Sequence, residues 1–358
     1  MKEERLKILE MLQEGKITAD EAAKLLEHLP SQQENKQNQQ RPDVYVYDTD
    51  NENGNFDNYS YTPRGGGILD TIVDAISNIN PHTPALYRDF EISGIQAINL
   101  LDLTGKNSSV SVEKNFDNSI KIHCKYSPKR GYDDIDIHFA EENGEYRLQY
   151  NQNAVRFMKV NCELPAVLVE KLRLQTSNSS INVEEVTCTT LDAYTSNASI
   201  NLEELTAKNI VAETSNSSIN LEEVTAETAK ISTSNAKINV EEVDIPKLSL
   251  STSNASISVE GLLNTQNTQN AENPTLKAST SNGGISVTLP AGIGVKLSAD
   301  TSHGSVKCDL ADNPLLGKHQ SGGGNLKTSG ENNLYKETGR GLEVKLSTSN
   351  GGIKISEE

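Results

Sequence analysis

Apolar residues in the second half of the chain recur with a period of 19 residues: Thr-Ser-Asn begins at Thr176, Thr195, Thr214, Thr233 and Thr252. The motif returns at Thr280 and Thr348, with Thr-Ser-His at Thr301 as a variant. With Thr as position 1, position 6 is Ile181, Ile200, Ile219, Ile238 and Ile257, and position 8 is Val183, Leu202, Leu221, Val240 and Val259. Position 11 is Val186, Leu205, Val224, Val243 and Leu262, and positions 16 and 18 are mostly apolar, as in Leu191, Ile210, Leu248 and Leu250. Between positions 6 and 8 runs a polar column of Asn182, Asn201, Asn220 and Asn239. That alternation is the period-2 signature of a half-buried strand. One coil cannot bury its own apolar face, whereas stacked coils share a narrow core, so a fixed period near 20 predicts a solenoid. The expected coil has two or three short strands, one turn near Ser-Asn and another near a Glu-Glu pair, with positions 6, 8 and 11 inward. The expected fold class is mainly β: a right-handed β-solenoid of stacked 19-residue coils with a small N-terminal α-helical hairpin.

The rest of the chain has other periods. Residues 1–29 read as two short helices. Leu6, Leu9 and Leu12 keep helical spacing, Gly15 breaks the first helix, and Thr18 with Glu21 forms a capping box for the second. Leu25, Leu26 and Leu29 continue its apolar stripe, and Pro30 ends it. Two helices this short bury little alone, so the stripe of Leu6, Leu9, Leu12, Leu25, Leu26 and Leu29 is expected to meet a protein partner or a second copy. Residues 30–66 read as a disordered Asn/Gln/Tyr-rich linker, with seven of the eleven positions from Ser31 to Arg41 being Asn or Gln. Residues 67–80 read as an amphipathic helix, Ile68, Ile72, Val73, Ile76 and Ile79 opposite Asp70 and Asp74. Residues 87–358 read as the solenoid, with the irregular segments 87–170 and 300–347 as end caps and strand character at Val110–Val112 and Asp134–Phe139.

Stacking puts like residues ~4.8 Å apart. Asn178, Asn197, Asn216, Asn235 and Asn254 then form an amide ladder at the turn. The β-branched Thr of position 1 suits a strand edge. Positions 9 and 10 are Glu184-Glu185, Glu203-Glu204, Glu222-Glu223 and Glu241-Glu242. Stacked carboxylates repel, so they must face water or share counterions, and a cation is the accessory expectation there.

Composition agrees with thin core layers: aromatics are 4% of the chain and Trp is absent. A net charge of -17 excludes nucleic acid, whose binders displace counterions with a basic patch. The same charge disfavours docking on an anionic membrane. Met1–Leu29 is charged throughout, so no signal peptide is expected, and no stretch approaches a membrane span. Cys124, Cys162, Cys188 and Cys308 form no CxxC pair and fit a reducing compartment. Localisation by sequence is therefore cytoplasmic.

The Thr-Ser-Asn-x-x-Ile-x-Val coils, with Leu164-Pro165 before the first and Leu289-Pro290-Ala291-Gly292 before a later one, resemble the bacterial putative-adhesin β-strand repeat family, DUF4097. The head, Glu3-Glu4-Arg5-Leu6 through Gly15-Lys16-Ile17-Thr18-Ala19-Asp20-Glu21-Ala22, resembles the short helical domain that opens YvlB/LiaX-like proteins. The resemblance implies a role in Gram-positive cell-envelope stress responses, no catalytic motif, and a surface association for some members.

Candidate chemistry is sparse. His28, His82, His123, His138, His303 and His319 are scattered, and His123-Cys124 with Cys162 matches no zinc spacing. No Gly-x-Ser-x-Gly elbow accompanies the many Ser and Asp residues. Gly283-Gly284 and Gly351-Gly352 follow Thr-Ser-Asn and read as turn residues. No catalytic residue and no cofactor are expected. The reading is a non-enzymatic binding or scaffold protein, with a surface adhesin-like structural protein as the alternative. A β-helix polysaccharide-acting enzyme ranks behind both, since the regular coils lack an aromatic face for sugars.

Overall fold

The computed structural model describes residues 85–262, 272–315 and 326–358. The expected helices and linker of residues 1–80 lie outside the described residues.

The chain first forms β1 (Leu86–Ser93), β2 (Leu100–Thr104), β3 (Ser108–Lys114), β4 (Ser119–Pro128), β5 (Ile137–Glu142), β6 (Glu145–Tyr150) and β7 (Val155–Leu164). Regular coils follow: β8 (Val169–Gln175) with β9 (Ile181–Glu184), β10 (Cys188–Tyr194) with β11 (Ile200–Glu203), and β12 (Asn209–Glu213) with β13 (Ile219–Glu222). Next come β14 (Thr228–Ser232) with β15 (Ile238–Val243), β16 (Lys247–Ser251) with β17 (Ile257–Leu262), and β18 (Thr275–Thr280) with β19 (Ile285–Leu289). Last are β20 (Val295–Thr301), β21 (Val306–Asp309), β22 (Leu326–Glu331), the helix α1 (Asn333–Thr338), β23 (Leu342–Thr348) and β24 (Ile353–Glu357).

Each coil gives one strand to each of two facing sheets. One sheet runs β1-β4-β7-β3-β9-β11-β13-β15-β17-β19-β24-β21 and the other β22-β20-β23-β18-β16-β14-β12-β10-β8-β2-β6-β5. Successive coils pair in parallel with a shift of one whole period, as in Ile200↔Ile219↔Ile238. A third, minimal row bridges Thr187, Thr206, Thr225 and Asp244. The core is the set of inward columns: positions 6, 8 and 11, together with 13, 16 and 18, are buried in the regular coils. This is a mainly β, solenoid-like stack of long parallel sheets.

The Thr of position 1 lies inside rather than at an edge. Thr195, Thr214, Thr233 and Thr252 are buried, and each hydroxyl donates to the position-4 carbonyl of the preceding coil, at 3.0–3.2 Å. A buried hydroxyl is costly unless bonded, and this column supplies the acceptor at every coil. The column continues through Thr280, Thr348 and Thr301, which donate to Ala255, Gly283 and Gly351.

Those last donors show that order in space departs from order in sequence. The β23–β24 coil sits between the β18–β19 and β20–β21 coils, although it follows both in the chain. At the other end the β2–β3 coil sits between the later β6–β7 and β8–β9 coils. The segments expected to be caps therefore carry whole coils. The capping itself falls to antiparallel strands, β4 on β7, β5 on β6, and β22 on β20, because a reversed strand ends a parallel stack without offering another coil the same register. Phe90 against Phe139, and Phe139 against Tyr146, each at 6.1 Å, seal the first end between the two sheets. The expected strand at Asp134–Phe139 begins later, at Ile137, because Asp134 is engaged by the buried Tyr126 hydroxyl at 2.6 Å. Where the chain returns from β22 to β23, buried Asn332 caps α1 and accepts from Val295 N at 2.9 Å while donating to Ile293 O at 2.8 Å.

Candidate functional site

The molecule's most regular outward chemistry lies at the Thr-Ser-Asn corner and on the sheet that contains β9 to β19. At the corner Asn197 donates its amide to Asn178 Oδ1 at 2.8 Å, Asn216 to Asn197 at 2.7 Å, Asn235 to Asn216 at 2.8 Å and Asn254 to Asn235 at 2.8 Å. Asn178 donates to Asn107, Asn282 to Asn254, and Asn350 to Asn282, so eight amides form one line. Asn107 precedes the first regular coil, and Asn350 stacks out of chain order. A second ladder runs through position 7: Asn201 donates to Asn182, Asn220 to Asn201 and Asn239 to Asn220, at 2.8–3.0 Å.

Two residues beyond that ladder lies a carboxylate column. Register pairs join Glu163↔Glu113, Glu113↔Glu184, Glu184↔Glu203, Glu203↔Glu222, Glu222↔Glu241 and Glu241↔Glu260, seven glutamates in consecutive coils. The sequence period marks Glu184, Glu203, Glu222 and Glu241. Glu163 and Glu113 enter through the exchanged first coils, and Glu260 lacks a second Glu after it. That second glutamate, Glu185, Glu204, Glu223 or Glu242, makes the turn with φ of +48° to +53°, and glycine takes the same place at Gly261. A left-handed backbone costs a side-chain-bearing residue roughly 1–2 kcal/mol, so the column carries strain at each corner. Neighbouring charge acts on it as well. Burial first, and then Glu163 and Glu184, raise the Glu113 carboxyl. At Glu204, lost hydration and the carboxylates of Glu185 and Glu223 do the same.

The sign of these shifts is testable. A carboxyl raised in the folded state binds its proton more readily there, so stability grows as pH falls from neutrality through the raised value, and the gain is complete below the ordinary value of 4.5. Protonation of these carboxyls is expected to add to the melting temperature as pH falls from about 7.5 toward 4.5. Glu204→Gly, which removes charge and suits a positive φ, should raise melting at neutral pH. Glu204→Val, equally uncharged but β-branched, should lower it. Calorimetry of the two variants separates charge from backbone strain; equal melting of both would refute the backbone account.

The four cysteines are buried, and burial pushes the Cys124 and Cys188 thiols up to about 12 and raises Cys162 and Cys308 as well, which keeps them from acting as nucleophiles. Of the histidines, His123 meets Asp89 and His138 meets Asp136, while His28, His82 and His319 fall outside the described residues, as do Leu6, Leu9, Leu12, Leu25, Leu26 and Leu29. Among the described residues no group of three His, Cys, Asp or Glu side chains is placed to hold a metal ion, and no helix is long and apolar enough to cross a membrane. A cavity of about 200 Å³ opens beside the Leu-Pro turn, lined by Lys114, Leu164, Pro165, Leu168, Glu185 and Val186.

Comparison with known proteins places this architecture. A family model described as Toastrack DUF4097 matches residues 98–356, and a model described as a SHOCT-like domain matches residues 3–30. No curated protein is a match. Among solved structures, a putative cell adhesion protein from Clostridium sporogenes is 14% identical, with 76% of this chain and 99% of that chain covered and a TM-score of 0.27. A putative adhesin from Parabacteroides merdae is 13% identical, covering 75% and 95%, with a TM-score of 0.38. A putative lipid binding protein from Parabacteroides distasonis is 10% identical, covering 75% and 96%, with a TM-score of 0.37.

Proposed function

We propose that this chain, which belongs to the Toastrack DUF4097 family, is a non-enzymatic binding protein whose stack is a rigid platform and whose residues 1–29 are the contact module. The observation that carries the reading is the seven-glutamate column beside its amide ladder. Backbone pairing fixes the spacing of both rows before any partner arrives, so binding there costs little ordering. Such a surface suits recognition; a reaction would need groups with contrasting proton affinities brought together, and the column repeats one group. The winding of the coils is right-handed, on the general preference of parallel crossovers. The head's leucine stripe is too small to fold well unaided and suits a protein partner or a second copy of the chain. The setting is the cell-envelope stress response, acting from the cytoplasmic side, with a surface adhesin-like role as the competing reading.

Deletion of residues 1–29 tests this. The shortened chain is expected to keep the stack's β circular dichroism and its melting temperature while losing oligomeric state or partner recovery and altering the envelope-stress response. If oligomer, partner and response all stay as in the full chain, the contact-module reading is wrong. Cell fractionation separates the cytoplasmic scaffold from the surface adhesin.

A further inference from the structure

We propose that His123 is a pH-operated latch on the edge strand β1, closed when the imidazole is protonated and loosened when it is neutral. β1 joins the stack at one side only, against β4. None of its residues is buried; they alternate between half-buried and exposed. Backbone bonds tie it to β4. Arg88 lies 3.6 Å from Asp134, and Phe90 rests against Phe139. The His123 imidazole adds a further tie, its Nδ1 lying 3.0 Å from Asp89 of β1 while its Nε2 lies 3.6 Å from Glu163 of β7. One ring thus bridges the edge strand to the first glutamate of the acidic column, across β4.

Of these contacts, only the imidazole changes charge near neutrality. The groups around it come from every strand of that face. β1 contributes Asp89 and Glu91, β4 contributes Lys121 and Lys125, β7 contributes Glu163 and Lys159, and β3 contributes Glu113. Lys121 is engaged by Asp117 at 2.6 Å, and Asn161 stands opposite His123 in register. The two carboxylates nearest the ring therefore act on it from opposite sides. The bond to Asp89 raises the imidazole above its ordinary value of 6.5, burial opposes this, and Glu163 adds to the rise. A group raised on folding contributes stability that is fully present below the unfolded value and is lost as pH rises through the folded one. The latch is closed in mild acid and loosens above neutrality. Once β1 lifts, the outer edge of β4 presents unpaired N–H and C=O groups, a template for an incoming strand.

Hydrogen exchange of the full chain, corrected for chemical exchange rates, reads the latch directly. Protection of residues 86–93 is expected to fall severalfold as pH rises from about 6 through the raised imidazole value, while residues 200–222 stay constant. His123→Gln should hold 86–93 at the high-pH level at every pH. Asp89→Asn, on the exposed side of β1 and harmless to packing, should do the same. His138→Gln, which alters an exposed histidine on β5, should leave the dependence intact. Constant protection of 86–93 in the wild type, or a pH dependence that survives in both His123→Gln and Asp89→Asn, would overturn the proposal.

Discussion

Ile219→Asp is expected to unfold the middle of the stack, while Asn220→Asp, one residue along, leaves it folded. Ile219 has no solvent exposure and lies in register between Ile200 and Ile238. A carboxylate there has no partner and no water, so it either stays charged in an apolar layer or takes up a proton at a cost of several kcal/mol. Losses beyond about 4–5 kcal/mol are exceptional for one substitution and mark a mechanism of this kind. The damage spreads by contact, because each coil's apolar face is completed by its neighbours. Protection from hydrogen exchange should vanish from β11 through β15. Asn220 is different. It donates to Asn201 at 2.8 Å and accepts from Asn239 at 3.0 Å on an outward face. Asp keeps the acceptor and loses the donor, a change of about 1 kcal/mol, with a further charge beside the glutamate column. Equal tolerance of both substitutions would mean that the register of the coils is wrong.

The contrast between those neighbours was legible in the sequence, since the period assigns Ile219 and Asn220 to opposite faces. Other features needed the coordinates. The Thr of position 1 has a side chain that suits an edge as well as a corner, and only the carbonyl three residues beyond the preceding Thr explains its burial. The second glutamate of each pair looks like one more solvated charge; its positive φ is foreshadowed solely by Gly261, the single coil in which the residue changes. Asn107, Glu113 and Glu163 belong to columns whose period is broken by the antiparallel strands between them, so spacing along the chain does not reveal them. The exchanged order of coils is invisible for the same reason. A Thr-Ser-Asn motif states that a coil is present, while its place in the stack depends on which faces fit. Gly283, Gly351 and Gly304 record that fit: a Cβ on each would lie within about 2 Å of the carbonyl oxygen of the coil beneath, following the order in space, Ala255, Gly283, Gly351.

Removing residues 342–358 is expected to cost the β20–β21 coil its protection, although that coil precedes the cut, while the β18–β19 coil stays paired to β16 and β17. The deleted coil is paired on both sides, β23 with β18 and β20, and β24 with β19 and β21. It buries Leu342, Val344, Leu346, Ile353 and Ile355. At about 1.5–3 kcal/mol for each buried aliphatic side chain, the gross loss is roughly 10 kcal/mol. The question is whether the β20–β21 coil can close the gap by settling directly on β18–β19. Its Thr301 and Val306 would meet Thr280 and Ile285 acceptably. Its Ala299 fits less well, because Leu346 now stands in register between Ala278 and Ala299, one large side chain between two small ones. Direct stacking places alanine on alanine, which the stack accepts at Ala193 on Ala212, but nothing then replaces the apolar surface that Leu346 and the other four aliphatic side chains covered. Hydrogen exchange and limited proteolysis of the shortened chain should therefore find 295–309 open and cleavable. If that segment stays protected, the coils are interchangeable and the alternation of large and small residues does not set their order.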